Sequence, residues 1–546
     1  MINDQKLRIM KNKFIFIILI ITSLFSFSLK AQDASFYIKY ADKGDVDAMC
    51  KLADCYYRGD GGVKNDYVLA LGWYVRAAKK GDPYAQFMSA YCYYFGLGTT
   101  ENFPDNGLPY LNKALKKEYI PAYWLYAQYC KDVNKPQYYI ENLNIACKGG
   151  YPPAQSEYGL MYLDGAAQYN IAKDVPKAIS LFKQAAEKGN LDAMYYLGQC
   201  YDSGNGVPAD PYKAFEYFSK AAASGYLNAY SKVGYAYLAG KGVETDFSTA
   251  YKYLKVAADY GNAEAYAYMG DIYAYGLGVD VNYKSAKEMY EAAVKNGNPH
   301  SMCQLAEMYA CGLGVDKDMS LTFNYYKQAS NLSYARGHVG LGECYMYGYG
   351  VTDNPYIAFV LYKKAAKQDE PRAHYLMALC YRDGKGTAKN TSEYISSLEK
   401  AANLGYTYAK TQLGLEYLSG EFIPAGANVY IAVRWFKMAA EDDDAYSQAF
   451  LGYSYYTGTE LAKEKNYILA YEYLTKSLRN PDFDDMSDSM KAIVYRSLAG
   501  CCRYGRGCEP DQSLASFYTE QAAKYGDEGS QRAAQSLRRD VDSILP

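Results

Sequence analysis

Histidine is scarce in this chain, which contains only three, and the motifs of common catalytic sites are missing. Neither H-E-x-x-H, nor G-x-S-x-G, nor the phosphate-binding P-loop occurs. His338 and His374 are 36 residues apart, the length of the chain's internal repeat. Such a spacing places them about 10 Å apart, too far for a zinc ion whose ligands bind at about 2 Å. We interpret them as solvated or groove-lining, and predict no catalytic residues, no metal site and no cofactor.

An excess of charge of either sign is also absent. Lysine and arginine total 58, against 60 aspartates and glutamates. A surface for nucleic acid or an anionic membrane needs a basic excess. The balance therefore predicts neither partner.

The N-terminus has the pattern of an export signal. Lys11 and Lys13 precede the apolar run at 14–29, and Ala31 provides a small residue for cleavage. The run is short for a membrane-spanning helix, so cleavage is favoured over an uncleaved anchor. We predict a signal peptide at 1–31, no membrane span after its removal, and a bacterial protein of the periplasm or the medium.

A long internal repeat fills the rest of the chain. Seven glycines follow one another at intervals of 36 residues, most of them opening the motif G-x-G-V: Gly204, Gly240, Gly276, Gly312, Gly348, Gly384 and Gly420. Looser copies bring the total to about thirteen units over residues 34–546. Self-similarity of this length predicts a solenoid, in which each unit buries its apolar stripe against its neighbours.

The spacing inside each unit is helical. Counted back from the first glycine, a tyrosine lies at three residues, a small residue at six and a large apolar residue at seven, as in Tyr201, Gly198 and Leu197. This spacing predicts a helix pressed closely against another one. The glycine ends that helix as a left-handed cap. A second helix follows, as in 211–226, and no stretch predicts a strand.

These residues resemble a known family. The pattern A-x-x-x-L-G-x-x-Y-x-x-G-x-G-V, followed by a K-A-x-x-(Y/F)-(Y/F)-x-x-A-A helix, is similar to the Sel1-like repeat, a relative of the tetratricopeptide repeat. The resemblance implies an all-α, right-handed superhelical solenoid whose first helices line a concave face. We divide the mature chain into a solenoid at 32–526, with an acidic insertion near 479–490 interpreted as a solvated linker, and a capping helix at 527–546.

The resemblance also implies a binding groove. By analogy with the tetratricopeptide repeat, the groove residues lie nine, five and two positions before each glycine: Tyr195, Gln199, Asp202, Tyr235, Asp271, Glu307, Glu343, Tyr375 and Arg382. Three consecutive units carry a carboxylate in one register, which could clamp a basic or amide-rich extended peptide. An ordinary solvated polar face remains the alternative. We predict a monomeric, non-catalytic scaffold for a protein or peptide.

Two other functions stay open. Tyrosine is abundant, with 66 residues, and a tyrosine-rich groove could stack on a glycan. A cysteine-rich branch of the family is linked to β-lactam hydrolysis, but the cysteine pairs that staple its helices are replaced here by residues such as Ala222 and Tyr230. Six of the thirteen cysteines instead lie four residues before a glycine, where other units carry Ala, Ile or Met. This exchange predicts buried free thiols in an apolar packing position.

Overall fold

The computed structural model describes residues 34–458 and 464–527. The chain divides into two compact units, residues 1–260 and 261–546. The predicted signal peptide at 1–31 lies outside the described residues, and so does the predicted capping helix from residue 528 onward.

The described part of the first unit, residues 34–260, contains one short helix followed by six helix pairs. Its helices are α1 (Ala34–Ala41), α2 (Val46–Arg58), α3 (Tyr67–Lys79), α4 (Pro83–Phe95), α5 (Leu108–Lys116), α6 (Ile120–Asp132), α7 (Pro136–Lys148), α8 (Pro152–Asp164), α9 (Val175–Glu187), α10 (Leu191–Ser203), α11 (Pro211–Ala223), α12 (Leu227–Ala239) and α13 (Phe247–Asp259). A single bridge, Ala166 to Ile171, is the only strand-like pairing among the described residues, and it lies in the lengthened loop between α8 and α9.

Seven helix pairs lie in the second unit, within residues 261–458 and 464–527. Its helices are α14 (Ala263–Tyr275), α15 (Tyr283–Lys295), α16 (Pro299–Cys311), α17 (Met319–Asn331), α18 (Ala335–Tyr347), α19 (Pro355–Ala366), α20 (Pro371–Asp383), α21 (Thr391–Asn403), α22 (Thr407–Ser419), α23 (Val429–Glu441), α24 (Ala445–Thr457), α25 (Tyr467–Arg479), α26 (Asp488–Tyr504) and α27 (Gln512–Lys524). The thirteen pairs confirm the predicted all-α solenoid.

The two glycines of the G-x-G motif have different tasks. Gly276 ends α14 in the left-handed conformation, with φ of 66°, and its N–H donates to the carbonyl of Ile272. Gly276 is therefore the predicted cap. The second glycine allows a close approach: at Gly350, with φ of 68°, a Cβ would collide with the carbonyl oxygen of Met319 at the start of α17. The cap can be predicted from the residues of one repeat, whereas the close approach depends on a contact with the preceding helix pair.

Tyrosines and small residues join the two helices of a pair. Tyr201 stacks on Tyr217 with ring centroids 5.9 Å apart, and Tyr309 stacks on Tyr325 at the same distance. Gly198 lies under the ring of Phe218, where an added Cβ would come within 2.6 Å. The small residue six positions before the cap is thus needed because a ring of the second helix covers it.

Six of the thirteen cysteines occupy the predicted packing position. All thirteen are free thiols, and the six in the shared register are buried: Cys55, Cys92, Cys200, Cys344, Cys380 and Cys501. Burial and the neighbouring Glu343 raise the pKa of Cys344 to about 12, so it stays a protonated thiol at neutral pH. The prediction of buried free thiols is confirmed.

The predicted exposure of two histidines is wrong. His338 and His374 are only 7% and 6% exposed, and Nδ1 of His338 lies 2.6 Å from the Ser330 hydroxyl. His338 is buried by the close contact of α17 and α18, where Gly337 lies so near Ala329 that an added Cβ would collide with it. Burial lowers the pKa of both histidines and favours the neutral form.

The acidic insertion is folded rather than a solvated linker. Phe483 and Met486 are buried in the core formed by α24 to α27. The side-chain amide of Asn480 donates to the carbonyl of Asp443, and Lys491 donates to the carbonyl of Asp484. Two apolar side chains therefore anchor a segment whose aspartates remain exposed.

Candidate functional site

All nine predicted groove residues lie half-buried on first helices. Four belong to the first unit, on α10 and α12: Tyr195, Gln199, Asp202 and Tyr235. The other five belong to the second unit, on α14, α16, α18 and α20: Asp271, Glu307, Glu343, Tyr375 and Arg382. Each unit therefore carries its own candidate surface.

The residues of the first unit contact one another and their neighbours. Gln199 donates to the Tyr195 hydroxyl at 3.2 Å. The ring of Tyr195 lies 5.5 Å from that of Tyr226. Asp202 pairs with Lys241 of the next repeat at 2.6 Å. These side chains form a polar and aromatic surface with little unpaired charge.

In the second unit each predicted carboxylate pairs with a basic side chain of the following repeat. Asp271 accepts from Nε2 of His300 at 3.1 Å, Glu307 from Arg336 at 2.9 Å and Glu343 from Arg372 at 2.6 Å. We call these six residues the ion-pair ladder; its first pair is ionic only when His300 is protonated. The carboxylates are therefore not an unpaired acidic row, because acidic and basic groups alternate along the surface.

The ladder follows from the repeat register. The carboxylate lies five residues before the cap of one first helix, and its partner lies twelve residues before the next cap. These positions are seven residues apart, about two helical turns, so they share one face of the helix. His300, Arg336 and Arg372 are also 36 residues apart. The predicted groove omits these three residues because it includes only positions nine, five and two.

Burial modifies the charges of the ladder. The side chain of Glu343 is 20% exposed, and burial raises its pKa despite the opposing effect of Arg372. Arg336 and Arg372 remain 42% and 49% exposed. The arginines are thus the accessible half of each pair.

Aromatic rings and a small cavity lie beside the ladder. Tyr275 and Tyr347 end their first helices with 58% and 56% of their surface exposed, and Gln304 donates to the Tyr275 hydroxyl at 3.1 Å. A cavity of about 40 Å³ opens between the last two ion pairs, with Tyr326 in its wall. Such a surface can bind polar main-chain groups and stack on flat ones.

Within 34–458 and 464–527, no group of three His, Cys, Asp or Glu side chains is placed to hold a metal ion. None of the helices described here combines the length and apolarity needed to cross a membrane.

Comparison with known proteins extends these observations. The Sel1 repeat model matches twelve segments: 46–82, 83–119, 152–190, 191–226, 227–262, 263–298, 299–334, 335–370, 371–406, 407–444, 445–482 and 495–527. The pair α6–α7 lies outside them. Its loop at 133–135 is short, and its first helix ends at Val133 instead of a glycine.

Similar proteins come from several bacteria. An uncharacterized protein of Neisseria meningitidis serogroup B is 30% identical over 135 residues, a quarter of each chain. A protective antigen of uropathogenic Escherichia coli with an SLR fold is 25% identical, with 87% of this chain and 91% of that one covered and a TM-score of 0.41. A Sel1 repeat protein of Oxalobacter formigenes is 25% identical, with 45% and 96% covered and a TM-score of 0.39.

The repeat matches, rather than these likenesses, decide the family. They extend over both compact units and agree with the helix pairs, the cap glycines and the small residues beneath the rings. Proteins built from this repeat generally act as protein-interaction scaffolds and are typically non-catalytic. The chain belongs to the Sel1 repeat family.

Proposed function

We propose that this protein is an exported scaffold that binds an extended segment of another protein along the ion-pair ladder. The observation that carries the proposal is the alternation of carboxylate and basic side chain over three consecutive repeats. Export is proposed from the signal-like pattern at 1–31.

The ladder matches the groups of an extended main chain. A strand rises about 3.3 Å per residue, so a repeat width of about 10 Å spans roughly three residues. Main-chain N–H groups can donate to Glu307 or Glu343, and carbonyl groups can accept from Arg336 or Arg372. The guanidinium groups of Arg336 and Arg372 are nearly half exposed and carry five N–H donors each, so a partner carbonyl can accept from them while the ion pairs stay formed.

The exposed rings supply apolar contact. Tyr275 and Tyr347 present large side chains with only two rotatable angles each, which limits the entropy lost on binding. The same rings could stack on a sugar, and crosslinking distinguishes the two ligands.

Site-specific photo-crosslinking tests the proposal. Tyr347, beside the ladder, is replaced by p-benzoylphenylalanine in the full-length protein, and the cells are irradiated. Tyr356 is the matched control, because it is 68% exposed but lies at the start of the second helix α19. We expect a discrete protein adduct from position 347 and none from position 356. Equal adducts from both positions, or a glycan adduct, would contradict the proposal.

A second experiment measures affinity for the captured segment. A peptide spanning the crosslinked residues should bind at least tenfold more weakly to Arg336→Gln/Arg372→Gln than to the native protein, because two cationic donors are lost. Lys284→Gln/Lys363→Gln changes the net charge equally on second helices, and should bind like the native protein.

The mass of the mature N-terminus independently tests cleavage near Ala31.

A further inference from the structure

The acidic insertion creates a pocket in the second unit. The pocket has a volume of about 320 Å³, within the range of ligand-binding cavities. One wall comes from α22 and another from the start of α24, while the insertion supplies the third. The lining residues are Tyr408, Thr411, Leu415, Asp444, Ala445, Tyr446, Asp482, Asp485, Met486 and Ser487.

The pocket is built on the registers of the ladder. Tyr408 lies twelve residues before the cap Gly420, in the register of Arg336 and Arg372, and Leu415 lies in the register of Glu343. Tyr446 occupies the Tyr408 position one repeat later. Where the ladder has charged pairs, the next repeats therefore have aromatic and aliphatic side chains, and the insertion adds the charge.

Three carboxylates line the pocket without a basic partner. No ion pair among the described residues involves Asp444, Asp482 or Asp485. Asp444 accepts from the Ser447 N–H at 2.6 Å and from the Thr411 hydroxyl at 3.0 Å, which holds it in place. The nearby Lys410 pairs with Asp442 instead. The pocket thus has an anionic side, in which Asp444 is held in place and Asp482 and Asp485 are exposed.

The remaining walls favour an organic cation on an alkyl chain. Leu415, Ala445 and Met486 provide apolar surface, and two tyrosine rings can face a positive charge. In the described parts of the chain the carboxylates are not grouped closely enough to hold a metal ion. A neutral apolar ligand would leave three carboxylates partly desolvated and unpaired, which is unfavourable.

We propose that this pocket binds the side chain of a lysine or arginine residue in the segment held by the ladder. The inference rests on the proposed function for the source of the cation, but the pocket's charge and shape are independent of it. The alkyl stem packs on Leu415 and Met486, and the charged head reaches Asp482 and Asp485. A basic residue beyond the ladder-bound stretch therefore anchors the partner.

Methyl NMR on the full chain tests the pocket with defined probes. The protein carries ¹³C-methyl methionine, and Met486→Leu identifies the Met486 signal. The probes are Nα-acetyl-arginine methylamide and its neutral isostere Nα-acetyl-citrulline methylamide. We expect a saturable shift of the Met486 signal with the arginine probe and a dissociation constant at least tenfold higher for citrulline. Equal affinities, or no saturable shift with arginine, would overturn the proposal.

Two double variants with the same change in net charge distinguish specific binding in the pocket from a general effect of charge. Asp482→Asn/Asp485→Asn should weaken arginine binding at least tenfold. Asp484→Asn/Asp488→Asn removes the same charge from the same stretch outside the pocket lining, and should leave binding within twofold. Similar losses in both variants would refute a specific site.

Two further arms distinguish the source of the cation. Arg336→Gln/Arg372→Gln should leave the Met486 titration unchanged, so a failed ladder and a failed pocket give different results. In the crosslinked partner peptide, replacing its basic residue by citrulline should reduce affinity at least tenfold. Spermidine binding tenfold more tightly than the arginine probe would indicate a free polyamine site and contradict a peptide anchor.

Discussion

Two neighbouring repeats of the second unit, 263–298 and 299–334, place equivalent tyrosines differently. In the first, Tyr290 covers Gly270 and donates to Asp271 at 2.7 Å. In the second, the position of Gly270 is taken by Ala306, which is fully buried. Tyr326 packs against Gly340 of the following repeat instead, where a Cβ would collide with its ring. Two substitutions accompany this change: Ala306 fills the position that Gly270 leaves open, and Gly340 leaves room for the ring where the preceding repeat has Gln304.

The difference extends to the ladder. Asp271 is held by a phenol of its own repeat as well as by His300. Glu307 pairs across the repeat boundary with Arg336, and Tyr326 forms a wall of the cavity beside it. A third arrangement occurs at 335–370, where Tyr362 covers Gly342 but Glu343 pairs with Arg372. The position of the ring depends on where a small residue leaves room for it. The pairing of the carboxylate depends on the basic side chain of the next repeat.

The largest expected effect comes from filling the space at Gly340. Gly340→Ala should destabilise the protein by about 1–3 kcal/mol, because the new methyl meets the Tyr326 ring and Ala306 prevents its retreat. Adding Ala306→Gly should recover part of this loss, since the ring can then pack as Tyr290 does. Chemical denaturation followed by circular dichroism measures each variant.

A glycine with free space around it provides the control. Gly72→Ala adds a methyl in α3 with no atom within 4 Å, and should stabilise by up to about 1 kcal/mol through helix propensity. If the effects of Gly340→Ala and Ala306→Gly simply add, the two substitutions do not share the Tyr326 ring, and the comparison fails.

A smaller effect separates Tyr290 from Tyr362. Both phenols are 1% exposed, but the hydroxyl of Tyr362 has no hydrogen-bond partner among the described residues. Tyr290→Phe should cost about 1–2 kcal/mol, since Asp271 loses a donor, whereas Tyr362→Phe should be neutral or stabilising. Denaturation midpoints compare the two. Equal losses would show that Tyr362 has an acceptor in solution.

The sequence predicts most of the fold, since helix starts, caps and packing positions depend on residues within one repeat. Gly276 could be assigned as a cap from the 36-residue repeat, and Tyr201 and Cys344 from their distance to their own caps. The pairing of Glu307 with Arg336 and the burial of His338 depend on contacts between repeats, which the register alone does not give. The interpretation of the insertion as a solvated linker is wrong. Aspartates such as Asp482 and Asp485 dominate its sequence, whereas only two apolar side chains, Phe483 and Met486, anchor it.

The smallest expected effect concerns the charge of Glu343. Burial raises its pKa and Arg372 opposes that shift, so Arg372→Gln should raise the pKa further. A carboxyl group with a raised folded-state pKa favours folding in its protonated form. Its contribution to stability is therefore fully present below the unfolded pKa and is lost as the pH rises through the folded value.

Carbon-13 NMR titration of the glutamate carboxyl signals, assigned with Glu343→Gln, measures this shift. Arg382→Gln is the control, because Arg382 pairs with Asp383 at 2.8 Å and does not act on Glu343. The Arg372→Gln variant should also lose more stability than the native protein as the pH rises through the folded-state pKa of Glu343, because the buried carboxylate then ionises without its partner. An unchanged Glu343 pKa in Arg372→Gln would mean that the last ion pair of the ladder does not persist in solution, and that a partner would meet an unpaired carboxylate there.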